Sequence, residues 1–283
     1  MKQLLVLSGK GGTGKTTVAS ALIKLSKCSA YADCDVDAPN LHITASQMSE
    51  PEKSDYYGFG KAEIDQETCI NCGLCEKNCR FDAIQGTTID PFACEGCGVC
   101  EKICPVHAIV MRDHASGSLM LYKNEHHVFS TAKLNMGSGA SGKLVTAVKQ
   151  RLIKEAEEEP FAVIDGSPGI GCPVIASISG VHMVLVVAEP TLSGMHDMNR
   201  ILDTARHFNI NCAVCINKYD VNEEHSKKIE RDCEDLNIPV IGKIPFDETV
   251  LEAVNTCQSI ASYPDSPAGK AIRSIWEQLK SYL

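Results

Sequence analysis

A glycine-rich loop near the start of the chain narrows its possible folds more than any other feature. A short apolar run from Leu4 to Ser8 leads into Gly9–Thr17, and a helix-like stretch follows as far as Leu25. The loop satisfies the pattern G-x-x-x-x-G-K-[ST], in which backbone N–H groups and the positive end of the following helix converge on phosphate oxygens. Strand, loop and helix in this order predict a nucleotide-binding α/β domain; an incidental glycine turn is the alternative.

Each position of this loop has an expected role. Lys15 is expected to reach the β- and γ-phosphates, and the Thr16 hydroxyl is expected to bind Mg²⁺. Asp165 ends the apolar run 161–165, and a carboxylate at the C-terminal end of a parallel strand meets Mg²⁺ through water. The segment 166–171 is then the switch that senses the γ-phosphate. The nucleotide-binding residues predicted from these two segments are Gly9, Gly11, Gly12, Thr13, Gly14, Lys15, Thr16, Thr17 and Gly169.

Cysteine content is the second strong signal. Of 283 residues, 15 are cysteine, and eight of them lie between Cys69 and Cys104. No signal peptide opens the sequence and no apolar run is long enough to span a bilayer, so we expect a cytoplasmic protein. Disulfides are rare in that reducing compartment, which leaves metal or cluster ligation as the leading explanation for the eight.

An internal repeat organises these eight cysteines. The pattern C-x₂-C-x₂-C-x₃-C occurs twice, which is typical of two [4Fe–4S] clusters in which the fourth cysteine of each run ligates the other cluster. Structural zinc is the alternative, but zinc prefers paired C-x₂-C spacing. Pro105 follows the second run as expected, whereas Arg80 stands at that position after the first run. We assign Cys69, Cys72, Cys75 and Cys104 to one cluster, and Cys94, Cys97, Cys100 and Cys79 to the other.

The remainder of the chain has the pattern of an α/β protein. After Leu134, continuous apolar strands alternate with helix-like stretches, as in a parallel sheet covered on both faces. The fold class we predict is a P-loop NTPase with a mostly parallel sheet, plus a small inserted α+β domain that resembles a bacterial ferredoxin. Predicted strands span 161–165, 181–188, 212–217 and 240–244, and predicted helices span 143–158, 194–208 and 223–236.

Changes in composition suggest where the insert begins and ends. The segment from Ser46 to Gly60 is polar and contains proline and glycine, so we place a boundary there. A hairpin that turns at 115–118 is expected after the cysteine-rich block. The predicted nucleotide-binding domain therefore comprises residues 1–58 and 112–283, and the predicted two-cluster insert comprises residues 59–111.

Several motifs together resemble the MinD/ParA and nitrogenase iron-protein family of ATPases. The run Lys10–Thr16 looks like the deviant Walker A loop of that family, and the run Asp33–Asn40 resembles its next motif. The resemblance implies ATP hydrolysis, with Lys10 contacting the nucleotide held by the other subunit of an ATP-bound homodimer. It also implies that Asp35 positions or polarises the attacking water. A solvated turn is the alternative for the other two aspartates of that run. Predicted catalytic residues are Lys10, Lys15, Asp35 and Asp165.

The run from Asn217 to Asp220 follows another predicted strand. By resemblance, Asn217 contacts the adenine, whereas the literal N-K-x-D string also suggests a guanine site. The deviant loop favours ATP. The predicted cofactors are therefore ATP, Mg²⁺ and two [4Fe–4S] clusters.

A single cysteine directly after the switch leaves two interpretations open. In the nitrogenase iron protein a cluster-ligating cysteine lies at the place of Cys172, but Ala140 occupies the position of the other ligand in the glycine-rich run 137–142. A cluster bridging two subunits is therefore not expected. Cys172 either lies near the dimer axis, where it binds a transient metal or cluster or packs against the insert, or is a small buried residue at a helix start.

The end of the chain also permits two interpretations. Residues 271–283 place five apolar side chains on one stripe, and such a helix can lie on a membrane surface. Glu277 dilutes its basic face, so docking on the sheet is favoured. The stripe consists of Ile272, Ile275, Trp276, Leu279 and Leu283.

Three functions fit these modules. The first is an ATP-gated electron carrier, which eight ligands in a buried ferredoxin pattern favour. The second is an assembly factor for iron–sulfur or other metal cofactors, and the third is a MinD-like positioning ATPase with structural clusters. The formal net charge of −9 argues against broad nucleic-acid binding. Expected partners are a second copy of the chain and an unidentified redox protein or apo-metalloprotein, with no nucleic acid and no membrane.

Overall fold

The computed structural model describes residues 1–44 and 50–283. One large sheet, covered by helices on both faces, organises this part of the chain. Residues 46–49 of the predicted boundary segment lie outside the described residues. The mostly parallel α/β fold predicted from the sequence is confirmed.

The strands within the described residues are β1 (Lys2–Leu7), β2 (Ala30–Asp33), β3 (Glu52–Tyr57), β4 (Lys61–Ile64), β5 (Ile84–Gln85), β6 (Thr88–Ile89), β7 (Ile109–Arg112), β8 (Ala115–Lys123), β9 (Val128–Leu134), β10 (Phe161–Asp165), β11 (Met183–Ala188), β12 (Asn211–Asn217) and β13 (Val240–Ile244). The α-helices there are α1 (Lys15–Ser26), α2 (Leu41–Thr44), α3 (Leu74–Asn78), α4 (Val99–Ile103), α5 (Ser141–Glu155), α6 (Cys172–Ile178), α7 (Leu192–His207), α8 (Glu223–Asp235), α9 (Thr249–Asn255) and α10 (Pro267–Leu279).

The central sheet has nine strands in the order β13-β12-β11-β1-β10-β2-β9-β8-β3. The strands from β13 to β9 run parallel to one another, and β8 pairs antiparallel with both β9 and β3. The carboxyl ends of the parallel strands therefore meet at one edge, which is where α/β sheets bind their ligands. The glycine-rich loop follows β1 at this edge, and Asp165 ends β10 beside it.

Successive residues of β1 serve two separate cores. Leu4 and Val6 belong to the cluster that contains residues of α1 and α10. Leu5 and Leu7 belong to the cluster that contains residues of α5, α6 and α7. Neighbouring side chains of a strand point to opposite faces, so an unbroken apolar strand supplies both cores.

The cysteine-rich segment forms its own small core outside the nine-stranded sheet. Strand β4 pairs with β7, and β5 pairs with β6, in two separate antiparallel ladders. Helices α3 and α4 each span five residues. The buried residues of this core are Ala62, Ile64, Ala83, Ile84, Cys94 and Ile109.

The prediction of a hairpin turn at 115–118 is wrong. Those residues begin β8, and the turn lies at 124–127, where the Asn124 side chain accepts hydrogen bonds from the backbone N–H groups of His126 and His127. Gly117 misled the prediction because it serves a close approach rather than a turn. A Cβ on Gly117 would lie 2.7 Å from the carbonyl oxygen of Lys133 in the paired strand.

Helix α10 docks on the sheet, which confirms the favoured interpretation of the C-terminal stripe. Four of the five stripe residues are buried, and Leu283 packs at the edge of the same core. Gly242 of β13 permits the contact, because a Cβ there would collide with the Ile275 side chain. Within residues 1–44 and 50–283, no helix has both the length and the apolar character needed to cross a membrane.

The docking of α10 predicts a stability difference between two alanine substitutions on one helix. Ile275 is completely buried, so Ile275→Ala is expected to lower the free energy of unfolding by about 2–5 kcal/mol. Gln278 lies on the exposed face, and Gln278→Ala should change it by no more than about 0.5 kcal/mol. Urea unfolding followed by circular dichroism measures both. Equal effects of the two substitutions would contradict the docked helix.

Candidate functional site

The glycine-rich loop requires glycine at two of its positions. Gly12 and Gly14 have φ angles of 81° and 90°, which lie in the left-handed region that disfavours residues with a side chain. A Cβ on Gly14 would also collide with the amide group of Asn217. Helix α1 begins directly after Gly14 with no side-chain cap. Its first N–H groups therefore form an anion-binding site at the carboxyl edge of the sheet.

Lys15, Thr16 and Asp165 meet in a buried cluster beneath this loop. Lys15 Nζ lies 2.6 Å from Asp165 Oδ1, and the Thr16 hydroxyl donates to Asp165 Oδ2 at 2.6 Å. Burial lowers the pKa of Lys15, but the charge of Asp165 and its hydrogen bond outweigh burial and leave this pKa above its ordinary value. The structure thus brings together the lysine, hydroxyl and carboxylate that the sequence assigned to phosphate and Mg²⁺.

Asp33 fastens the loop that carries Asp35. Its Oδ1 accepts a hydrogen bond from the backbone N–H of Asp35, and its Oδ2 accepts those of Asn40 and Leu41, all at 2.9 Å. Asp33 is fully buried, so the alternative of a solvated turn is wrong for it, whereas Asp37 is exposed. Burial and the nearby charge of Asp165 raise the pKa of Asp33 to about 7.

Asp35 itself is partly buried at the same edge. Burial raises the pKa of its carboxyl, and the charge of Lys15 opposes that rise. Its backbone position is set by Asp33, so its side chain is held near Lys15 without a direct ion pair between them in the described residues. A carboxylate with a raised pKa suits the orientation of a water molecule.

Lys10 pairs within its own chain. Its Nζ lies 3.0 Å from Glu189 Oε2 and 3.2 Å from the Thr191 hydroxyl. Lys218 binds the other oxygen of the same carboxylate at 3.1 Å. Burial raises the pKa of Glu189, but the two lysines outweigh it and leave this pKa below its ordinary value. The sequence analysis did not identify Glu189. The available signal was its position directly after the buried strand β11, which is similar to the position of Asp165 at the end of β10.

The switch segment 166–171 is hydrogen-bonded to the residues that follow β1 and to those that follow β2. The backbone N–H of Gly169 donates to the carbonyl oxygen of Ser8 at 3.1 Å, and Gly169 has a left-handed φ of 93°. The Ser167 hydroxyl donates to the carbonyl oxygen of Cys34 at 2.5 Å. Movement of this segment would therefore displace the phosphate loop and the loop that carries Asp35.

A buried lysine that the sequence did not single out holds the helix after the switch. Lys149 of α5 donates to the carbonyl oxygens of Ser177 and Ser179 at 2.6 Å, at the end of α6. Burial lowers its pKa to about 8. A cation at a helix C-terminus stabilises the helix, so Lys149 ties α6 to α5. Its place in the predicted helix 143–158 carried no signal, because an exposed lysine would fit that pattern equally well.

Asn217 lies against the phosphate loop. Its side-chain amide donates to the carbonyl oxygen of Thr13 at 2.7 Å. Strand β12 thereby places its C-terminal residue beside the loop at which the nucleotide is expected. Contact of Asn217 with a base stays a prediction.

Two open cavities in the cysteine-rich segment each have four cysteines in their walls. One is lined by Cys69, Cys72, Cys75 and Cys104. The other is lined by Cys79, Cys94, Cys97 and Cys100. The fourth cysteine of each run thus lies with the first three of the other run, as the crossed assignment expects. Among the described residues, no three His, Cys, Asp or Glu side chains gather tightly enough for a single metal ion.

Backbone N–H groups point at several of these sulfurs. Ala83 and Ala108 donate to the Sγ atoms of Cys79 and Cys104, the two fourth cysteines, at 3.4 and 3.2 Å. Asn71 donates to Cys69 Sγ at 3.4 Å. Such hydrogen bonds stabilise cluster-ligating thiolates. The donor set of four cysteines in each cavity fits a [4Fe–4S] cluster.

The glycine-rich run 137–142 lies between the second cavity and the switch helix. A Cβ on Gly137 would lie 3.0 Å from the ring of Phe92, and one on Gly139 would lie 2.8 Å from Glu95 Oε2. At the other end of the run, a Cβ on Gly142 would lie 3.1 Å from the carbonyl oxygen of Cys172. The run therefore touches both modules.

Cys172 is exposed at the first position of α6. The interpretation of a buried residue at a helix start is therefore wrong. The backbone of Cys172 adjoins Gly142 of the run 137–142. Cys172 does not line either of the two cysteine cavities. Its role as a metal or cluster ligand stays a prediction.

Comparison with known proteins gives the family and its relatives. The model of the CobQ/CobB/MinD/ParA nucleotide binding domain matches residues 4–260. An uncharacterized protein of Methanocaldococcus jannaschii is 32% identical over 99% of this chain and 97% of its own length. An iron-sulfur cluster carrier protein of Pyrococcus furiosus is 24% identical over 99% of this chain and 86% of its own length. The cell division ATPase MinD of Pyrococcus furiosus shares the fold, with a TM-score of 0.60 at 16% identity over 100% and 99% of the two chains.

Burial divides the remaining cysteines into reactive and inert groups, which predicts an alkylation pattern. In the native protein at pH 8, iodoacetamide is expected to modify the exposed Cys172 and Cys257 within minutes. Four buried thiols should stay unmodified, because burial raises their pKa to about 11 for Cys28 and to about 12 for Cys34, Cys215 and Cys233. Peptide mass spectrometry measures this, with the urea-unfolded protein as control. Early modification of the buried group would contradict the core described above.

Proposed function

The chain belongs to the CobQ/CobB/MinD/ParA nucleotide-binding family, and from this premise we propose that it is an ATP-hydrolysing carrier or assembly factor for iron–sulfur clusters. Its nucleotide-binding domain comprises residues 1–58 and 112–283, and residues 59–111 form an inserted ferredoxin-like module. ATP binds at the glycine-rich loop, and the clusters bind in the two cysteine cavities.

One observation carries the proposal: two cavities, each walled by four cysteines, belong to the same folded chain as a phosphate loop. In each cavity the second cysteine of the run is exposed, Cys72 in one and Cys97 in the other. The remaining ligands are buried or half-buried. A cluster held in this way would have one exposed Fe–S bond, at which an acceptor's thiolate could bind the iron and displace Cys72 or Cys97. The relative from Pyrococcus furiosus that is named as an iron–sulfur cluster carrier also supports the proposed carrier function.

The nucleotide site uses residues that the fold already brings together. Lys15 is expected to move from Asp165 to the phosphates, which frees the Asp165 carboxylate and the Thr16 hydroxyl for Mg²⁺. Asp35 orients the attacking water, and its backbone is held by Asp33. Lys10 reaches the nucleotide of a second copy of the chain, so ATP binding produces a homodimer.

Nucleotide state and cluster site are joined by the run 137–142. The switch segment leads into α6, whose first residue adjoins Gly142, while Gly137 and Gly139 contact Phe92 and Glu95 beside the second cavity. A shift of the switch on γ-phosphate binding would therefore press on the cluster module. Coupling requires that ATP favour one of two arrangements of this contact.

Electron transfer is the second candidate, and the sequence alone placed it first. The specific observation in its favour is that each cavity receives all four cysteines from this chain, as a permanent cluster requires. When bound, a [4Fe–4S] cluster supplies one-electron chemistry, and the chain supplies its placement. The Pyrococcus furiosus relative that is named as an iron–sulfur cluster carrier supports the carrier function instead.

Cluster transfer separates the two candidates. The protein is reconstituted without oxygen and incubated with an apo-ferredoxin acceptor, and iron on each protein is measured after rapid separation. For a carrier, MgATP should change the transfer rate by about tenfold, the effect of ~1.4 kcal/mol of coupling. A non-hydrolysable ATP analogue separates binding from hydrolysis. Iron that stays on the chain with and without ATP would overturn the carrier function, and reduction of a partner by that chain would favour electron transfer.

The pair between Lys10 and Glu189 predicts an effect on dimerisation. Lys10 must leave Glu189 before it can reach another subunit's nucleotide, so Glu189→Gln should favour the ATP-bound dimer. This partly exposed pair is worth at most about 1 kcal/mol, so the ATP concentration at half-maximal dimerisation should fall by up to about fivefold. Analytical ultracentrifugation measures the dimer. Glu224 is exposed on α8, and Glu224→Gln is the matched control. An unchanged midpoint for Glu189→Gln would contradict the restraint.

A further inference from the structure

The N-K-x-D string at the end of β12 is built into the phosphate loop at two points. Asn217 donates to the carbonyl oxygen of Thr13 at 2.7 Å, and Lys218 Nζ lies 3.4 Å from the carbonyl oxygen of Gly12. Consecutive residues of the string therefore bind consecutive carbonyls of the loop. A chance tetrapeptide after a strand has no reason to show this register.

Lys218 is held in an uncommon conformation. Its backbone is left-handed, with φ at 53°, and its ammonium group is also fixed by Glu189 at 3.1 Å. The side chain of Lys218 therefore runs from the end of β12 to the phosphate loop.

Asp220 is the third fixed group. One carboxylate oxygen, Oδ1, accepts a hydrogen bond from the backbone N–H of Phe246 at 2.8 Å. The carboxylate is thereby positioned between the loops that follow β12 and β13. Within the part of the chain that the structure describes, no basic side chain pairs with Asp220. An ionised carboxylate accepts about four hydrogen bonds, so Oδ2 retains acceptor capacity at an exposed position.

The chemistry of this carboxylate discriminates between bases. Guanine presents two neighbouring donors, the N1–H and the N2 amino group, and both complement a carboxylate. Adenine presents one donor, the N6 amino group, next to the N1 lone pair, which a carboxylate repels. A carboxylate fixed between the loops that follow β12 and β13 therefore complements guanine better than adenine.

We infer that the base site of this chain accepts guanine, so that GTP is a nucleotide substrate alongside ATP, with Asp220 as the residue that recognises the base. The inference rests on the proposed nucleotide-binding function. It assigns a role to Asp220, the residue of the N-K-x-D string that the interpretation as an ATP site leaves unused.

Competition between nucleotides tests the inference. Binding of ATP, GTP and xanthosine triphosphate with Mg²⁺ is measured by calorimetry on the full chain and on Asp220→Asn. The asparagine keeps an acceptor for the Phe246 N–H, so the loop should stay folded, which circular dichroism checks. GTP should bind the unaltered chain with a Kd within about tenfold of that for ATP. Asp220→Asn should weaken GTP relative to ATP by about tenfold or more, the effect of losing a charged hydrogen-bond acceptor.

The same variant should gain affinity for xanthosine triphosphate. Xanthine has a carbonyl oxygen where guanine has the N2 amino group, and an amide side chain offers it a donor. Asp203 is exposed on α7 away from the loop, and Asp203→Asn should leave the ratio of GTP to ATP binding unchanged. Binding of ATP alone by the unaltered chain would overturn this inference and leave the proposed function intact. Failure to bind either nucleotide would overturn both.

Discussion

The buried contact of Asp165 with Lys15 and Thr16 is the interaction on which the nucleotide site depends. It joins adjacent strands, because Asp165 ends β10 while Lys15 and Thr16 begin the helix that follows β1. Removing one partner of such a pair leaves an uncompensated buried charge, which typically costs about 3–5 kcal/mol. The carboxylate is therefore a structural anchor, and under the proposed function it is also the group that would bind Mg²⁺ once Lys15 moves to the phosphates.

The same edge of the sheet concentrates the remaining functional groups. Asp33, Asp165, Glu189 and Asn217 end or follow neighbouring parallel strands, so they face one region although they are far apart in sequence. Two of the carboxylates, Asp165 and Glu189, are neutralised by lysines of the phosphate loop, and Asp33 is held by backbone N–H groups. A nucleotide with its metal ion would rearrange these pairs together, and the hydrogen bonds of the switch segment would carry that rearrangement outward.

The cysteine module adds a second site without disturbing the sheet. Its strands pair only with one another, and its contact with the larger domain includes the run 137–142 and the region around Phe59, whose ring lies 3.8 Å from Lys143 Nζ. Glycine in that run lets two surfaces approach where any side chain would hold them apart. Movement of α6 or of the run would therefore act directly on the residues beside the second cavity.

The sequence by itself determined the phosphate loop and the parallel α/β architecture, because both depend on residue spacing along short stretches. Spacing also predicted which four cysteines line each cavity. The seven strands and helices whose bounds the sequence predicted after Leu134 agree with the structure to within three residues. The predicted hairpin near Gly117 is wrong, because the sequence does not distinguish a glycine required for close packing from a glycine required for a turn. Only the tertiary structure decided that Glu189 restrains Lys10, that Lys149 holds the end of α6, and that Asp33 is buried while Asp37 is not. Those facts depend on which strand ends become neighbours, and the order of strands in a sheet is set by the packing of the whole domain rather than by any local pattern.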